Sequence, residues 1–157
     1  MIYLKTALAN MLLLIVLFGC CANSNDPPNP APAPSTSEEH HHGSGPTGGV
    51  VFELGSHHAE LSVDHEKKEC TLLILGSDEK SPLTIAAKEL TLCTKETKTA
   101  DSAVVAPMTI TLYPVDECEG KAAKFVGTDP GIGYKAEFAG TVIGEIDGKP
   151  VLGEFQE

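Results

Sequence analysis

"HHAELSVDH", at residues 57–65, is the stretch on which the fold turns. Ala59, Leu61 and Val63 fall on one side of an extended chain, and His58, Glu60, Ser62 and Asp64 fall on the other. A period of two is the mark of a half-buried β-strand; a helix would scatter these residues around its axis. Working outward, the period returns in "KELTLCT" (88–94), where Leu90 and Leu92 share a face and Glu89, Thr91, Cys93 and Lys95 point away. It returns again in "MTITLYP" (108–114), where Met108, Ile110 and Leu112 alternate with Thr109, Thr111 and Tyr113. "CTLLILG" (70–76) is apolar on both faces and belongs in the interior of a sheet. "VVFEL" (50–54), "KAAKFVG" (121–127), "TVIGEID" (141–147) and "PVLGEFQ" (150–156) supply further strands.

Turn chemistry falls between these runs: "GSDEKSP" (76–82), "TDPGIG" (128–133), and Asp147-Gly148, a strong hairpin signal when flanked by β-type residues. In "SPLTIAAKEL" (81–90), Ala86, Ala87 and Lys88 are good helix formers, so a helix competes there. The reading adopted is strand or irregular chain, with one helical turn there or near 133–138. Seven to eight short strands within residues 50–157 give an all-β class and the expectation of an immunoglobulin-like β-sandwich.

The chain of 157 residues carries 22 acidic residues against 11 basic ones, a formal charge of −11. Every one of those cations is a lysine. Arginine is the preferred bidentate ligand for phosphate and base edges, and a negative field repels polyanions, so nucleic acid is excluded as a partner.

Residues 1–19 read as a targeting segment: Lys5, then the apolar run "MLLLIVLF" (11–18), then Gly19. The run is far shorter than the ~20 residues of a membrane-spanning helix and fits a secretory signal. Leu17, Phe18, Gly19 and Cys20 resemble a bacterial lipobox, though Phe18 is bulkier than usual at its position. The resemblance implies cleavage before Cys20 and acylation of that cysteine. Several acyl chains on one residue hold a protein stably on a bilayer. By analogy with Gram-negative sorting, Cys21 in place of an aspartate favours the outer membrane, with the protein facing the periplasm.

Residues 20–49 read as a lipid-anchored, disordered tether. Six of the eleven prolines lie there, and "DPPNPAPAPSTSEE" has no apolar periodicity. Fully extended at ~3.1 Å per residue, such a segment reaches about 90 Å. Within it, His40, His41 and His42 follow Glu38 and Glu39. Neutral imidazoles suit Cu2+, Zn2+ or Ni2+, and adjacent carboxylates add attraction. His58 and Glu60, at i and i+2 on one strand face, form a second candidate metal pair. The competing reading makes the triplet solvated linker and His58 an ordinary strand residue.

Cys70, Cys93 and Cys118 remain within residues 50–157. An exported protein sits where disulfides persist, so one pair and one odd thiol is the expectation, with the pair left open. Their spacing matches no zinc ribbon. "HEKKE" (65–69) brushes against the zinc-protease pattern but ends in Glu69 and lies between strands, where two ligands would not share a helical face. There is no nucleophile elbow, P-loop or dinucleotide fingerprint, and the expectation is a protein that is not an enzyme.

"GPTGGVVFELG" (45–55), "HHAEL" (57–61), "PLTIAAKELTL" (82–92) and "EGKAAKF" (119–125) together resemble small exported lipoproteins common in planctomycete-type bacteria. They are also similar to a β-rich segment preceding the periplasmic adaptor subunits of heavy-metal efflux pumps. The resemblance implies a β-rich envelope domain loosely associated with metal-cation handling, and it brings no catalytic residues. The cysteines at 70, 93 and 118 depart from the pattern, as does Thr47, where histidine or asparagine is frequent. The expected function is a lipid-anchored envelope lipoprotein with a non-enzymatic binding or structural module and weak transition-metal capture. The alternative is a protein-interaction accessory subunit of an envelope or metal-efflux complex, with an envelope protein as its partner.

Overall fold

The computed structural model describes residues 44–157. The apolar leader, Cys20, Cys21, and the histidines at 40, 41 and 42 lie outside the described residues. The described chain is all-β. In order, its strands are β1 (Val50–Leu54), β2 (His57–Asp64), β3 (Glu69–Leu75), β4 (Leu90–Thr94), β5 (Thr97–Lys98), β6 (Val104–Val105), β7 (Thr109–Val115), β8 (Lys124–Thr128), β9 (Ala139–Ile146) and β10 (Lys149–Gln156). A single 3-10 turn, Pro130–Gly133, lies between β8 and β9, capped by Asp129, whose carboxylate accepts the Gly131 N–H at 2.7 Å.

Eight strands form one antiparallel sheet in the order β1-β2-β3-β8-β7-β4-β9-β10, while β5 and β6 pair separately. The sheet curls until its edge strands meet. Gly55 N–H donates to Leu152 O at 3.3 Å, and the rings of Phe52 and Phe155 pack across the seam with centroids 5.9 Å apart. Gly153 makes the approach feasible, since a side chain there would run into the Glu53 carbonyl and the Phe52 ring. The result is a nearly closed barrel whose edges cover one another.

The strands expected from the alternation are present, but one sheet joins them where two stacked sheets were expected. β7 is the reason. Its first half, Thr109 to Leu112, pairs with β4, and its second half, Tyr113 to Val115, pairs with β8. The strand hands over from one neighbour to the other midway and so turns a corner between the two halves of the wall. Alternation dictates which side chains face inward; it carries no information about which strand lies next door.

The barrel interior is filled by side chains. Leu61, Leu72, Leu90, Leu92, Leu112 and Phe125 sit at inward positions, each with almost no accessible surface. Each contributes roughly 1.5–3 kcal/mol by leaving water. Thr94 is the polar exception among them, and it is satisfied: its Oγ1 accepts the Met108 N–H at 2.9 Å while its own N–H reaches the Met108 carbonyl.

Between β3 and β4 the chain is irregular, and the competing helix does not form. Its backbone groups bond across the barrel. Ile85 and Ala122 exchange two hydrogen bonds of 2.9 and 3.0 Å, and Ala86 O accepts from Asp147 N at 2.9 Å. A helix would have spent those groups locally. The Asp147-Gly148 hairpin forms as expected, with φ of 51° and 76°, between β9 and β10.

Candidate functional site

The most elaborated polar arrangement in the described chain surrounds Glu60. This residue points outward from the middle of β2, opposite Leu61, yet it is fully buried. What covers it is the segment just before β1. Ser44 bridges to Val50, and the backbone between them closes a tight turn, Gly48 N–H donating to Gly45 O at 3.1 Å and Gly45 N–H to Gly49 O at 3.0 Å. That turn aims two backbone amides at the carboxylate. Gly49 N–H donates to Glu60 Oε1 at 2.7 Å, and Thr47 N–H donates to Oε1 at 2.9 Å and to Oε2 at 3.2 Å. Thr47 Oγ1 and Ser62 Oγ, 2.8 Å apart, close the arrangement on the β2 side.

The sequence of the clasp follows from its geometry. A Cβ on Gly45 would collide with the Glu60 side chain, and one on Gly49 would collide with the Leu61 carbonyl. Pro46 and Thr47 occupy the middle of the turn, where proline's fixed φ and missing donor cost nothing. A concave set of backbone N–H groups is an anion-binding shape, and here the anion is a side chain of the same molecule. The Gly-Pro-Thr-Gly-Gly run, read from composition as the end of the tether, is a structural part of the barrel.

This decides how the second candidate metal pair stands. His58 and Glu60 leave the same face of β2, but different loops take them. Glu60 is committed to the amides of Thr47 and Gly49, whereas His58 Nε2 stands 3.4 Å from Glu79 Oε1 in the loop after β3. The structure does not bring His58 and Glu60 together on one ion. Among the described residues no group of three or more His, Cys, Asp or Glu side chains could hold a metal. The loop carrying Glu79 is itself built round Asp78, which accepts the N–H groups of Lys80 and Ser81 and the Ser81 hydroxyl. The Ser81 hydroxyl and these amides hold the Asp78 carboxyl down at about 2.

The three described cysteines are free, which corrects the expected pairing. Cys70 points into the barrel from β3, its Sγ directed at Gly127 O at 3.5 Å, while Cys93 faces outward from β4. Inward and outward side chains of one wall cannot be bridged. Cys93 pairs in register with Thr109 at the start of β7, and Cys118 lies beyond the far end of that strand. Six residue steps of strand separate Thr109 from Val115, about 20 Å at ~3.3 Å per residue, against the 7 Å limit for a disulfide. Burial pushes the Cys70 thiol up to about 11.

A second cluster escaped the sequence reading. His65, at the end of β2, has its Nδ1 2.7 Å from Ile132 O in the 3-10 turn, and its ring lies 6.2 Å from that of Phe138. Phe138 N–H in turn donates to Glu157 Oε2 at 2.9 Å, and Glu157 N–H returns a bond of 3.0 Å to Phe138 O. Partial burial raises the Glu157 carboxyl, against the Phe138 N–H bond and the nearby His65. Residues 65–68 form a turn, with Asp64 accepting the N–H groups of Glu66 and Lys67, so the "HEKKE" resemblance to a helical zinc motif is accidental. Nothing in local sequence could announce either cluster, since partners such as His65 and Ile132 are 67 residues apart.

No family model, no curated protein and no solved structure matches this chain. No helix among the described residues is long and apolar enough to cross a membrane.

Proposed function

We propose that this protein is a lipid-anchored bacterial envelope lipoprotein, in which a non-enzymatic β-barrel works as a binding or structural module at the end of a proline-rich tether. Cys20 is the acylated residue, residues 1–19 are its signal, and the outer membrane facing the periplasm is its site. The observation that carries this reading is the sequence run Leu17-Phe18-Gly19-Cys20 closing a short apolar segment behind Lys5, followed by a proline-rich stretch. The chain between the proline-rich segment and the barrel wall is fastened by a buried carboxylate, as suits the end of a tether. A barrel filled with leucine and phenylalanine leaves function to its outer surface and its loops. Weak capture of Cu2+, Zn2+ or Ni2+ by His40, His41 and His42 is a subsidiary activity of the tether, supported by the two glutamates that precede them.

Partition in Triton X-114 tests the anchor. In a diderm host the full chain should enter the detergent phase, and Cys20→Ser should move to the aqueous phase. Globomycin should accumulate a slower-migrating precursor. Aqueous partition of the unmutated chain refutes the anchor. Calorimetric titration of residues 22–157 beside the His40/His41/His42→Ala variant tests the metal, and equal heats from both end that part of the reading.

A further inference from the structure

Residues 44–49 lead directly into β1, yet their side-chain partners lie on β2. The amides of Thr47 and Gly49 both end on Glu60, in the middle of β2, and the Thr47 hydroxyl faces Ser62 on the same strand. β2 is an interior strand, paired with β1 on one side and β3 on the other. β1 stands at the edge of the sheet, and β2 is its one ladder partner among the described residues. Across the seam, Phe52 meets Phe155 and Gly55 meets Leu152, so β1 and β10 run antiparallel there. The chain therefore enters β1 at Val50 on the same end of the barrel at which β10 finishes.

We propose that the Glu60 clasp is a mechanical latch, which carries tension arriving from the N-terminal side past β1 and into β2. The source of the pull is the lipid anchor proposed above; its path follows from the bonds just described. Without the clasp, tension would enter β1 at Val50 and act first on the Val50–Leu61 pair, then on Val51–Glu60, peeling an edge strand one pair at a time. With the clasp, the same tension falls on two amides that meet one carboxylate, and charge-assisted bonds of this kind are roughly twice as strong as neutral ones. Complete burial of Glu60 keeps water from replacing those amides. The Gly48–Gly45 and Gly45–Gly49 bonds and the Ser44–Val50 bridge keep the turn from straightening before the amides are loaded. Once Glu60 lets go, β1 follows, the Phe52–Phe155 contact parts, and the buried side chains of Phe52 and Leu54 leave the core.

Optical tweezers on residues 22–157, which keep the whole barrel and its clasp, test this in two pulling geometries. In the first, the handles sit at residues 22 and 157, so the pull runs through residues 44–49. In the second, they sit at residue 157 and at the exposed thiol of Cys118, so the pull bypasses the clasp. At constant force in the first geometry, the first opening should be at least about tenfold faster in Glu60→Gln than in the parent, because the charged acceptor is lost. In the second geometry the two should open at similar rates. Ser62→Ala removes only the hydroxyl facing Thr47 and should move the first rate in the same direction by less, which keeps the test decisive if Glu60→Gln folds poorly. Equal rates for the parent and both variants in the first geometry overturn the latch. Equal acceleration in both geometries overturns it as well, because the clasp would then stabilise the barrel as a whole and carry no tension of its own. Aqueous partition of the unmutated chain removes the anchor as the source of the pull and leaves this rate difference untouched, so the two readings fail separately.

Discussion

Gly49 donates its backbone N–H to Glu60 Oε1 at 2.7 Å, and that bond joins the residue before the first strand to the centre of the second. Thr47 adds its N–H to the same carboxylate, so a fully buried negative charge is held by main-chain dipoles instead of a cation. An exposed ion pair at this place would be worth little and would weaken with salt. A carboxylate bonded to backbone amides and shielded from water holds its partner segment regardless of ionic strength.

Closure of the barrel depends on Gly153. Gly153→Ala would push a methyl group into the Glu53 carbonyl and the Phe52 ring across the seam between β1 and β10. A loss of about 1–3 kcal/mol is expected, the usual cost of overpacking a tight contact. Urea unfolding measures it, and an unchanged midpoint would mean that the seam yields freely.

Thr94 is inward-facing and buried, with its hydroxyl oxygen bonded to Met108 N–H. Thr94→Val keeps the volume and orphans that amide, which should cost about 1–3 kcal/mol. Thr94→Ser retains the oxygen and should recover most of the loss. If valine and serine behave alike in thermal unfolding, the hydroxyl bond is not what stabilises this corner of the core.

The cysteines should separate by reactivity. Cys118 is exposed, Cys93 half-buried, and Cys70 enclosed with its thiol held protonated by burial up to about 11. Iodoacetamide at pH 8 should modify Cys118 first, Cys93 more slowly, and Cys70 only after denaturation, because the thiolate is the reacting species. Rapid labelling of Cys70 in the folded protein would contradict the inward orientation of β3.

Glu157 gives the protein a pH dependence of definite sign. Its carboxyl is raised in the folded state above the ordinary value of 4.5, chiefly by burial. The folded state therefore favours the protonated form. The stabilisation is complete below that ordinary value and is lost as pH rises through the raised one. Glu157→Gln, which cannot ionise, should gain stability relative to the parent between pH 4 and pH 7. Paired urea titrations at the two pH values decide the matter, and a gain in the opposite direction rules out burial as the dominant influence.

The strands were legible in the sequence because each carries its own signal. Leu90 and Leu92 in β4, and Ile110 and Leu112 in β7, are inward where alternation put them, and Asp147-Gly148 turns as its chemistry requires. Neighbour relations were not legible. β7 shows one uninterrupted alternation although its two halves serve different partners. The clasp was hidden for a related reason. Glu60 occupies an outward position that alternation assigns to solvent, and its partner Thr47 lies thirteen residues away in a glycine-rich run that composition assigns to the tether. Only folding shows that this run covers Glu60.

Hydrogen exchange by NMR on residues 22–157 reads the clasp directly, at the amides of Thr47 and Gly49. Both should be protected in the parent to a degree comparable with β1, and both should lose at least tenfold in Glu60→Gln, while amides of β4 and β9 change little. That variant should also unfold about 1–3 kcal/mol more easily, because a charged acceptor has been replaced by a neutral one that leaves donors poorly matched. If Thr47 and Gly49 exchange in the parent as fast as an unstructured peptide, or remain equally protected in Glu60→Gln, the carboxylate does not fasten residues 44–49 to the barrel.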